Sequence, residues 1–236
     1  MSPDRAGSDR MVLPDGCLDI VWNGSELFVA GPDTGPMPVG LDPGASFAGV
    51  RFAMGAAAAF LSIDASEIRD QRVSLAAFWG DHAVTSMAAR LEAAPCAGLA
   101  ARALEQIVVR RLPELVPLDP VVVGLVATLR RRPESALLGR LADELGTTGR
   151  SMHRACSAAV GYGPKTLQRV LRFRRFLALA ETRPAAGLAR LAAEAGYADQ
   201  PHLTRECARL AGTTPARILV ARRRNVQDSR RVDLPR

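Results

Sequence analysis

The feature that most constrains this chain is a repeat in its C-terminal half. The segment Leu141–Gly146, LADELG, recurs fifty residues later as Leu191–Gly196, LAAEAG. Five residues after the first copy reappear at a spacing of 51: Met152, Arg154, Cys156, Gly161 and Pro164 correspond to Leu203, Arg205, Cys207, Gly212 and Pro215. Each copy predicts a helix, a glycine turn and a second helix, the order of a helix-turn-helix motif. Two such motifs in one chain indicate DNA binding.

The distribution of charge agrees with this interpretation. Residues 1–120 contain 9 Arg and 15 Asp and Glu, a net charge of −6, whereas residues 121–236 contain 22 Lys and Arg and 9 Asp and Glu, a net charge of +13. A basic half joined to an acidic half is typical of a nucleic-acid-binding domain attached to a domain that does not touch nucleic acid. The alternative, an arginine-rich solvated surface, leaves the repeat unexplained.

Length and composition favour two globular domains. The chain has 236 residues, of which 48% are hydrophobic, enough for two cores. The longest uncharged run, Phe52–Ile63, has 12 residues and is too short to span a bilayer. The start lacks the pattern of a secretory signal, so we expect a cytoplasmic protein with no membrane partner. The four cysteines lie far apart without a C-x-x-C pair, which favours reduced core residues.

The first half predicts an α+β domain over residues 11–112. The β-prone runs 17–22 and 27–30 flank Asn23-Gly24, a dipeptide that favours a hairpin. Further strands are predicted near 37–41 and 46–52, which gives a small antiparallel sheet. Helices are then predicted near 55–61, 82–93 and 98–112, with a capped start at Asp64.

A proline-rich segment separates this domain from the basic half. Residues 113–120 contain three prolines, which favours a linker. The following domain, 121–222, is predicted to be all-α with seven helices and two helix-turn-helix motifs. The predicted helices are 121–131, 136–145, 149–160, 164–181, 187–195, 199–211 and 215–222. Residues 223–236 are predicted to form a basic tail.

In the first motif, the helix that follows the glycine turn has an inward and an outward face. Met152, Cys156 and Val160 recur at helical spacing and are predicted to face the core. Thr148 is placed to cap this helix. The candidate DNA-binding residues of this motif are Thr148, Arg150, Ser151, His153 and Arg154. Arginine offers two parallel donors to guanine, although a phosphate contact is an equal alternative for either arginine.

The second motif repeats this arrangement. Asp199 is the predicted N-cap, and Leu203, Cys207 and Leu210 are predicted to face inward. The candidate DNA-binding residues are Gln200, Pro201, Thr204 and Arg205, among which glutamine suits adenine.

The long helix at 164–181, about 27 Å at about 1.5 Å per residue, joins the two motifs. Its length suits two recognition helices about one turn of DNA, roughly 34 Å, apart. Phosphate contacts are predicted for Lys165, the only lysine of the chain, and for Arg169 and Arg172. Pairing of some of these arginines with acidic side chains is the alternative.

Residues 121–222 resemble the DNA-binding domain of AraC/XylS-type transcriptional regulators. The resemblance is most specific over 196–207, GYADQPHLTREC, with GTTP at 212–215, and weaker over 148–156 with Gly161 and Pro164. It implies that Arg150, His153 and Arg154 read bases in the first motif, and that Gln200, Pro201, Thr204 and Arg205 do so in the second. Pro201 replaces a residue that would hydrogen-bond. Cys156 and Cys207 stand where the family usually has an inward phenylalanine.

The first half is similar to an uncharacterised domain that often precedes this module. The matching stretches are 13–22, 30–34 and 49–52. This copy begins late relative to the domain, so its sheet is expected to be incomplete or completed by a partner.

The resemblance implies three roles for the first domain that stay open: binding a small-molecule effector, forming a homodimer, or both. Trp22, Phe28 and Phe52 are consistent with an apolar pocket or with an ordinary core. An enzyme or thiol-reactive sensor fused to the DNA-binding module is the alternative, and it would use Asp15, Cys17, Asp19 or Asp33. Turn formation explains those aspartates more simply.

The expected function is therefore sequence-specific, non-enzymatic transcription regulation on double-stranded DNA, with RNA polymerase as a further partner to test. We expect no cofactor and no metal. Residues 1–81 contain no histidine, and neither His153 nor His202 has a second histidine or a cysteine at i+4.

Overall fold

The structure of the protein is a computed structural model that describes residues 10–39, 47–112, 117–133 and 138–220. The first half contains two small antiparallel sheets. Strands β1 (Arg10–Val12) and β4 (Met37–Val39) pair with each other. The second sheet has the strand order β5-β2-β3-β6, formed by Ala48–Arg51, Asp19–Trp22, Leu27–Ala30 and Arg72–Ser74.

The central hairpin of the four-stranded sheet follows from sequence alternation. Ile20 and Trp22 of β2 and Leu27 and Val29 of β3 are buried on one face, while their neighbours are half-buried. This period of two is that of a strand with one covered face. Asn23 shapes the turn, because its side-chain oxygen accepts hydrogen bonds from the backbone N–H groups of Ser25 and Glu26. The predicted hairpin is confirmed.

The described part of the first half also contains five helical segments: α1 (Ala56–Leu61), a 3-10 turn (Ala65–Ile68), α2 (Ala76–Trp79), α3 (Asp81–Glu92) and α4 (Ala97–Arg111). Asp64 caps the 3-10 turn by accepting a hydrogen bond of 2.8 Å from Ser66 N, as predicted. The core lies between the sheet and these helices. Trp22 and Phe52 are part of this core.

The second half is helical throughout its described residues. Its helices are α5 (Pro120–Arg131), α6 (Leu138–Glu144), α7 (Gly149–Val160), α8 (Pro164–Thr182), α9 (Leu188–Ala195) and α10 (Gln200–Ala211), and residues 215–220 are helical as well. The predicted fold class is confirmed: an antiparallel sheet with helices precedes an all-α domain with two helix-turn-helix motifs. Residues 113–116 of the predicted linker and the predicted tail, 223–236, lie outside the described residues.

The two halves pack against each other. The core of the helical half includes Met54, and Leu13 and Cys17 pack against it as half-buried residues. Asp15 forms ion pairs with Arg51 of its own half, at 2.9 Å, and with Arg174 of α8, at 3.1 Å. Helix α7 also contacts α1 and the 3-10 turn. The first half is therefore in direct contact with the helix that follows the first glycine turn.

Across the described ranges, no helix combines the length and the apolar character needed to cross a bilayer.

Candidate nucleic-acid interface

The first helix-turn-helix unit consists of α6 and α7. Met152, Cys156 and Val160 of α7 are buried, as their spacing predicts. Thr148 is the N-cap of α7, and its hydroxyl accepts a hydrogen bond of 3.2 Å from Ser151 N. A capped helix start fixes the direction in which the first turn leaves the protein surface.

The exposed side chains of α7 lie in its N-terminal half. Arg150, His153 and Arg154 are exposed, and Ser151 is half-buried. His153 lies against the turn at Gly163, with its Nδ1 3.5 Å from Ser157 Oγ. The imidazole is thus directed toward the C-terminal end of α7, whereas the two arginines occupy the outer face.

The second unit, α9 and α10, repeats this arrangement. Leu203, Cys207 and Leu210 are buried on the inner face of α10. Asp199 caps the helix by accepting a hydrogen bond of 2.6 Å from His202 N. Inward faces and N-caps are therefore equivalent in the two units, as the repeat predicts.

The outer face of α10 begins with Gln200, Pro201 and Arg205, which are exposed. Thr204 is half-buried, and its hydroxyl donates to the carbonyl oxygen of Gln200 at 3.0 Å. The His202 ring lies nearly perpendicular to the Tyr197 ring, with ring centroids 5.2 Å apart. Gln200 and Arg205 therefore offer the long polar side chains at this helix start.

The structure does not support a phosphate contact by Arg169. Its guanidinium binds the Glu206 carboxylate through both Nε and Nη2, at 2.8 and 2.7 Å, and thereby joins α8 to α10. Both side chains are largely buried, with exposed fractions of 20% and 11%. The acidic-partner alternative applies to this arginine, and its role is to hold the second unit against α8.

The structure also does not support the predicted phosphate contact of Arg172. The residue is only 4% exposed. Its Nε and Nη2 donate to the carbonyl oxygen of Pro133 at 3.1 and 3.0 Å, and its guanidinium lies 5.4 Å from the centroid of the Tyr197 ring. A buried guanidinium that already binds a carbonyl inside the fold does not present itself to a phosphate. Arg172 instead connects the end of α5 to α8.

Lys165 differs from these two arginines because it is exposed at the first turn of α8. The N-terminal end of a helix carries unpaired N–H groups and a partial positive charge, which favours a nearby anion. Lys165 is thus placed where a phosphate group is attracted by both the ammonium and the helix. Its predicted phosphate contact stays a prediction.

The Arg169–Glu206 pair was not predicted, although the sequence contains a signal for it. Glu206 falls between Leu203 and Cys207 on the inward face of α10. A carboxylate on a buried face needs a cationic partner, because removing an unpaired charge from water is costly. The inward arginines of the neighbouring helix α8 were the candidate partners of Glu206.

The inward cysteines of the two motifs are both buried. Burial raises the pKa of both the Cys156 and the Cys207 thiol to about 12. The Cys156 thiol donates to the carbonyl oxygen of Tyr162 at 3.2 Å. These small residues fill the inward positions without changing the outer faces.

The acidic residues that the enzyme alternative invoked are engaged in ion pairs. Arg51 binds Asp19 through two hydrogen bonds of 3.1 and 2.8 Å and also binds Asp15. Arg72 binds Asp33 in the same bidentate manner, at 2.9 Å for each bond. Within the part of the chain that the structure describes, no three His, Cys, Asp or Glu side chains form a metal-binding group.

Two domain models match separate parts of the chain. Residues 141–221 match the model of a helix-turn-helix domain, and residues 2–74 match a domain of unknown function, DUF6597. No curated protein matches the chain. Among solved structures, the chain is similar to the crystal structure of an apo ToxT variant from Vibrio cholerae. The two are 11% identical, the match covers 90% of this chain and 91% of that chain, and the TM-score is 0.49.

The paired units with capped second helices define a helix-turn-helix DNA-binding protein. More particularly, residues 141–221 match an AraC-type helix-turn-helix domain and residues 2–74, before it, match the DUF6597 domain, and the helix-turn-helix domain supports a DNA-binding transcription regulator.

The Arg169–Glu206 pair predicts how stability depends on pH. Burial raises the pKa of the Glu206 carboxyl, but the hydrogen bonds and charge of Arg169 outweigh this effect and hold that pKa below its usual value of 4.5. The unfolded chain therefore takes up the proton first as the pH falls. The stabilisation is present above pH 4.5 and is lost as the pH falls through the lower, folded value.

We expect Glu206→Gln to lower the free energy of unfolding by about 1–3 kcal/mol at pH 7, because the mutation removes a charged hydrogen-bond acceptor from a buried pair. Urea unfolding at pH 7, 5 and 3 measures this difference, which should shrink at pH 3. Glu194→Gln is the matched control, since Glu194 pairs with Arg183 and Arg190 at the surface. A difference that stays constant across the three pH values contradicts the assignment.

Proposed function

We propose that the protein reads duplex DNA with two recognition helices, α7 and α10, placed in successive segments of the major groove. The observation that carries this proposal is the equivalent exposure of polar side chains at the start of both helices. Arg150 and Arg154 are exposed on α7, and Gln200 and Arg205 are exposed on α10. The N-terminal residues of a recognition helix are those that reach base edges.

The chemistry of the two sets differs, and this difference supports two distinct base blocks. The arginines suit guanine O6 and N7 through two parallel donors, while Gln200 suits adenine N6 and N7. Each well-formed pair discriminates against a wrong base by about 1–3 kcal/mol. Pro201 has no side-chain hydrogen-bond donor, so we expect its position to affect the shape of the helix surface and not to form a hydrogen bond with a base.

The length of α8 supports the spacing of the two blocks. This helix has 19 residues and is about 28 Å long at about 1.5 Å per residue. Successive major-groove segments on one face of DNA are roughly 34 Å apart. We therefore expect two short blocks separated by about 10–10.5 base pairs from centre to centre.

Selection of bound sequences from random duplex DNA by the full-length protein tests this proposal. Two fixed blocks about one helical turn apart are the expected result. Recovery of one block alone means that a single helix reads bases. Enrichment without any motif means that the protein binds the DNA backbone only, and it contradicts the proposal.

Base reading and phosphate attraction respond differently to mutation. Arg205→Ala should relax the preference at one base position, with a loss of about 1–3 kcal/mol on the preferred site. Lys165→Gln should weaken binding to all sequences alike and reduce the slope of log K against log salt by about one unit. Titrations of the selected site and a scrambled duplex at several salt concentrations measure both. Equal effects of the two mutations on both duplexes contradict the assignment.

Control by a small-molecule effector is supported by a cleft between the two halves. It has a volume of about 580 Å³. Its walls combine guanidinium groups with apolar side chains: Arg51, Arg130, Arg174 and Arg175, together with Phe52, Met54 and Leu171. Arginine recognises carboxylate and phosphate groups, and the apolar walls suit a hydrocarbon portion. The proposed effector is thus a small organic anion that contacts both domains.

A panel of small organic carboxylates and phosphate esters tests this cleft by thermal unfolding. A ligand at about a hundred times its Kd should stabilise the folded protein by about 2.7 kcal/mol. Arg130→Ala should reduce the gain, because it removes a cationic wall of the cleft. Arg217→Ala, on an exposed arginine of the terminal helix, should leave the gain unchanged. A panel without any stabilising anion, or equal losses in the two variants, contradicts the effector proposal.

Dimer formation is supported by the outer face of α4. Leu99 and Val109 are 46% and 52% exposed, and Leu112, directly after the helix, is 42% exposed. Arg102 and Glu105 are exposed as well and lie between Leu99 and Val109 along the helix. Because the two charges are opposite, two antiparallel copies of this helix match each other in charge.

Sedimentation of the full-length protein over a range of concentrations tests the dimer. Val109→Glu should raise the dissociation constant of the dimer at least about tenfold, because it places a charge in an apolar interface. Ala89→Glu, at an exposed position of α3, is the matched control and should leave the dissociation constant unchanged. A wild-type protein that stays monomeric at all concentrations contradicts the proposal.

The thiol-reactive alternative receives less support. Burial, reinforced by the neighbouring Asp15 carboxylate, raises the pKa of the Cys17 thiol to about 11. A thiol needs the deprotonated form to react, so a raised pKa disfavours a reactive sensor. Asp15 and Asp19, the acid–base candidates, are bound to Arg51.

A further inference from the structure

One loop of the first domain is held by both backbone and side-chain hydrogen bonds. This loop, residues 31–36, follows β3 and lies against the segment 65–72, and we call the two segments together the clamp. Gly31 N donates to Gln71 O at 2.9 Å, and Asp70 N donates to Pro32 O at 3.2 Å. The clamp is therefore joined by backbone hydrogen bonds in both directions.

Side chains add to these backbone bonds. Thr34 donates from its backbone N and its hydroxyl to the two carboxylate oxygens of Asp70, at 2.6 and 2.8 Å. Arg72 binds Asp33 through two bonds, and Asp33 is only 7% exposed. A buried and bidentate pair fixes the geometry of the loop more tightly than a surface ion pair does.

The clamp touches the C-terminal end of α7. Gly161 ends this helix with φ +88°, and a Cβ added there would overlap Pro32 Cγ and lie 3.0 Å from Ala65 O. Arg69 also directs its guanidinium at Gly161 O, with 3.5 Å between Nη1 and the oxygen. Only a glycine permits this approach, because both the left-handed conformation and the close contact exclude a side chain.

The same loop touches the C-terminal end of α10. Gly212 ends α10 with φ +62°, and a Cβ built there would lie 3.3 Å from Pro36 Cγ. Backbone from the two segments is also close, since a Cβ at Gly35 would lie 4.0 Å from Arg209 O. Two prolines of one six-residue loop thus meet the two helices that carry the proposed base-reading residues.

The two contacts are equivalent in the repeat. Gly161 and Gly212 correspond to each other at the spacing of 51. Each helix has 12 residues, about 18 Å at about 1.5 Å per residue, so the clamp meets them far from their N-terminal ends. The first domain can therefore hold both helices while it leaves their outer N-terminal faces open.

We propose that Pro32 and Pro36 are positioning residues that set the distance and angle between the two recognition helices, and thereby the spacing of the two DNA blocks that the protein accepts. This inference rests on the proposed function, reading by both helices. Without the clamp, α8 and the contacts around it provide one connection between the units. The clamp provides a second connection between the units, because it contacts the C-terminal ends of both α7 and α10.

A spacing series tests this proposal. The full-length protein is titrated against duplexes that carry the two selected blocks at the preferred separation and at separations one and two base pairs longer or shorter. A duplex with the second block scrambled reports binding by one unit. In the wild type, a shift of one base pair should weaken binding roughly tenfold or more, because about 1.4 kcal/mol of contacts is lost.

Two variants loosen the clamp in different ways, and each has the same expected result. Pro36→Ala removes the ring atom that meets Gly212, and Thr34→Val removes a bond to Asp70. Both should reduce the spacing preference to about threefold or less, and both should leave binding to the one-block duplex unchanged. Pro38→Ala is the matched control, since Pro38 is exposed two residues further along the same segment.

The outcomes separate this proposal from the one on which it rests. A wild type that ignores spacing and the second block overturns reading by two helices. A wild type with a sharp spacing preference that both clamp variants retain overturns the role of the clamp alone. Equal weakening of the one-block duplex also overturns it, because a merely structural role of the loop would lower all binding alike.

A distance measurement without DNA gives an independent readout. In a Cys17→Ser and Cys96→Ser background, spin labels at Arg150→Cys and Ala208→Cys report the separation of α7 and α10 from exposed positions, while Cys156 and Cys207 stay buried. The distance distribution should be narrow in the protein with an intact clamp and broader with Pro36→Ala. An unchanged distribution overturns the proposal even if DNA binding is altered.

Discussion

The burial of helix α8 is the constraint on which the rest of the structure depends. Its inner positions include Leu167, Phe173 and Phe176, which are fully enclosed, and the helix contacts α5, α7, α9 and α10. A helix that is packed on several sides fixes the relative orientation of everything that rests on it. Both helix-turn-helix units rest on α8, so their relative placement depends first on this core, to which the proposed clamp adds a second connection.

This constraint also explains which parts of the interface the sequence predicts. The inward residues of α7 and α10, their N-caps and the exposed ends that bear the candidate residues follow from helical periodicity and from the repeat. These patterns are local, and local patterns need no knowledge of neighbouring helices. The helix bounds of the second half differ from the prediction by two residues or fewer where the structure describes both ends.

The errors have a common physical origin in contacts between elements distant in sequence. Arg169 and Arg172 lie on a helix whose charged residues alone predict a solvated face, but Glu206 and Pro133 lie 37 and 39 residues away. Strands β1 and β6 were not predicted, because each has three residues and offers no alternation long enough to recognise. The ion pairs of Asp15 with Arg51 and Arg174 likewise depend on how the two domains dock.

The contact between the clamp and the helix ends bears on how such a regulator changes over evolution. Pro32 and Pro36 fit against Gly161 and Gly212, so a surface of the first half and a surface of the helical half are matched to each other. If one half were exchanged for the corresponding half of a relative, the clamp and the helix ends would come from different proteins and would not be complementary in shape. The two domains are separate in sequence, but the interface requires that they diverge together.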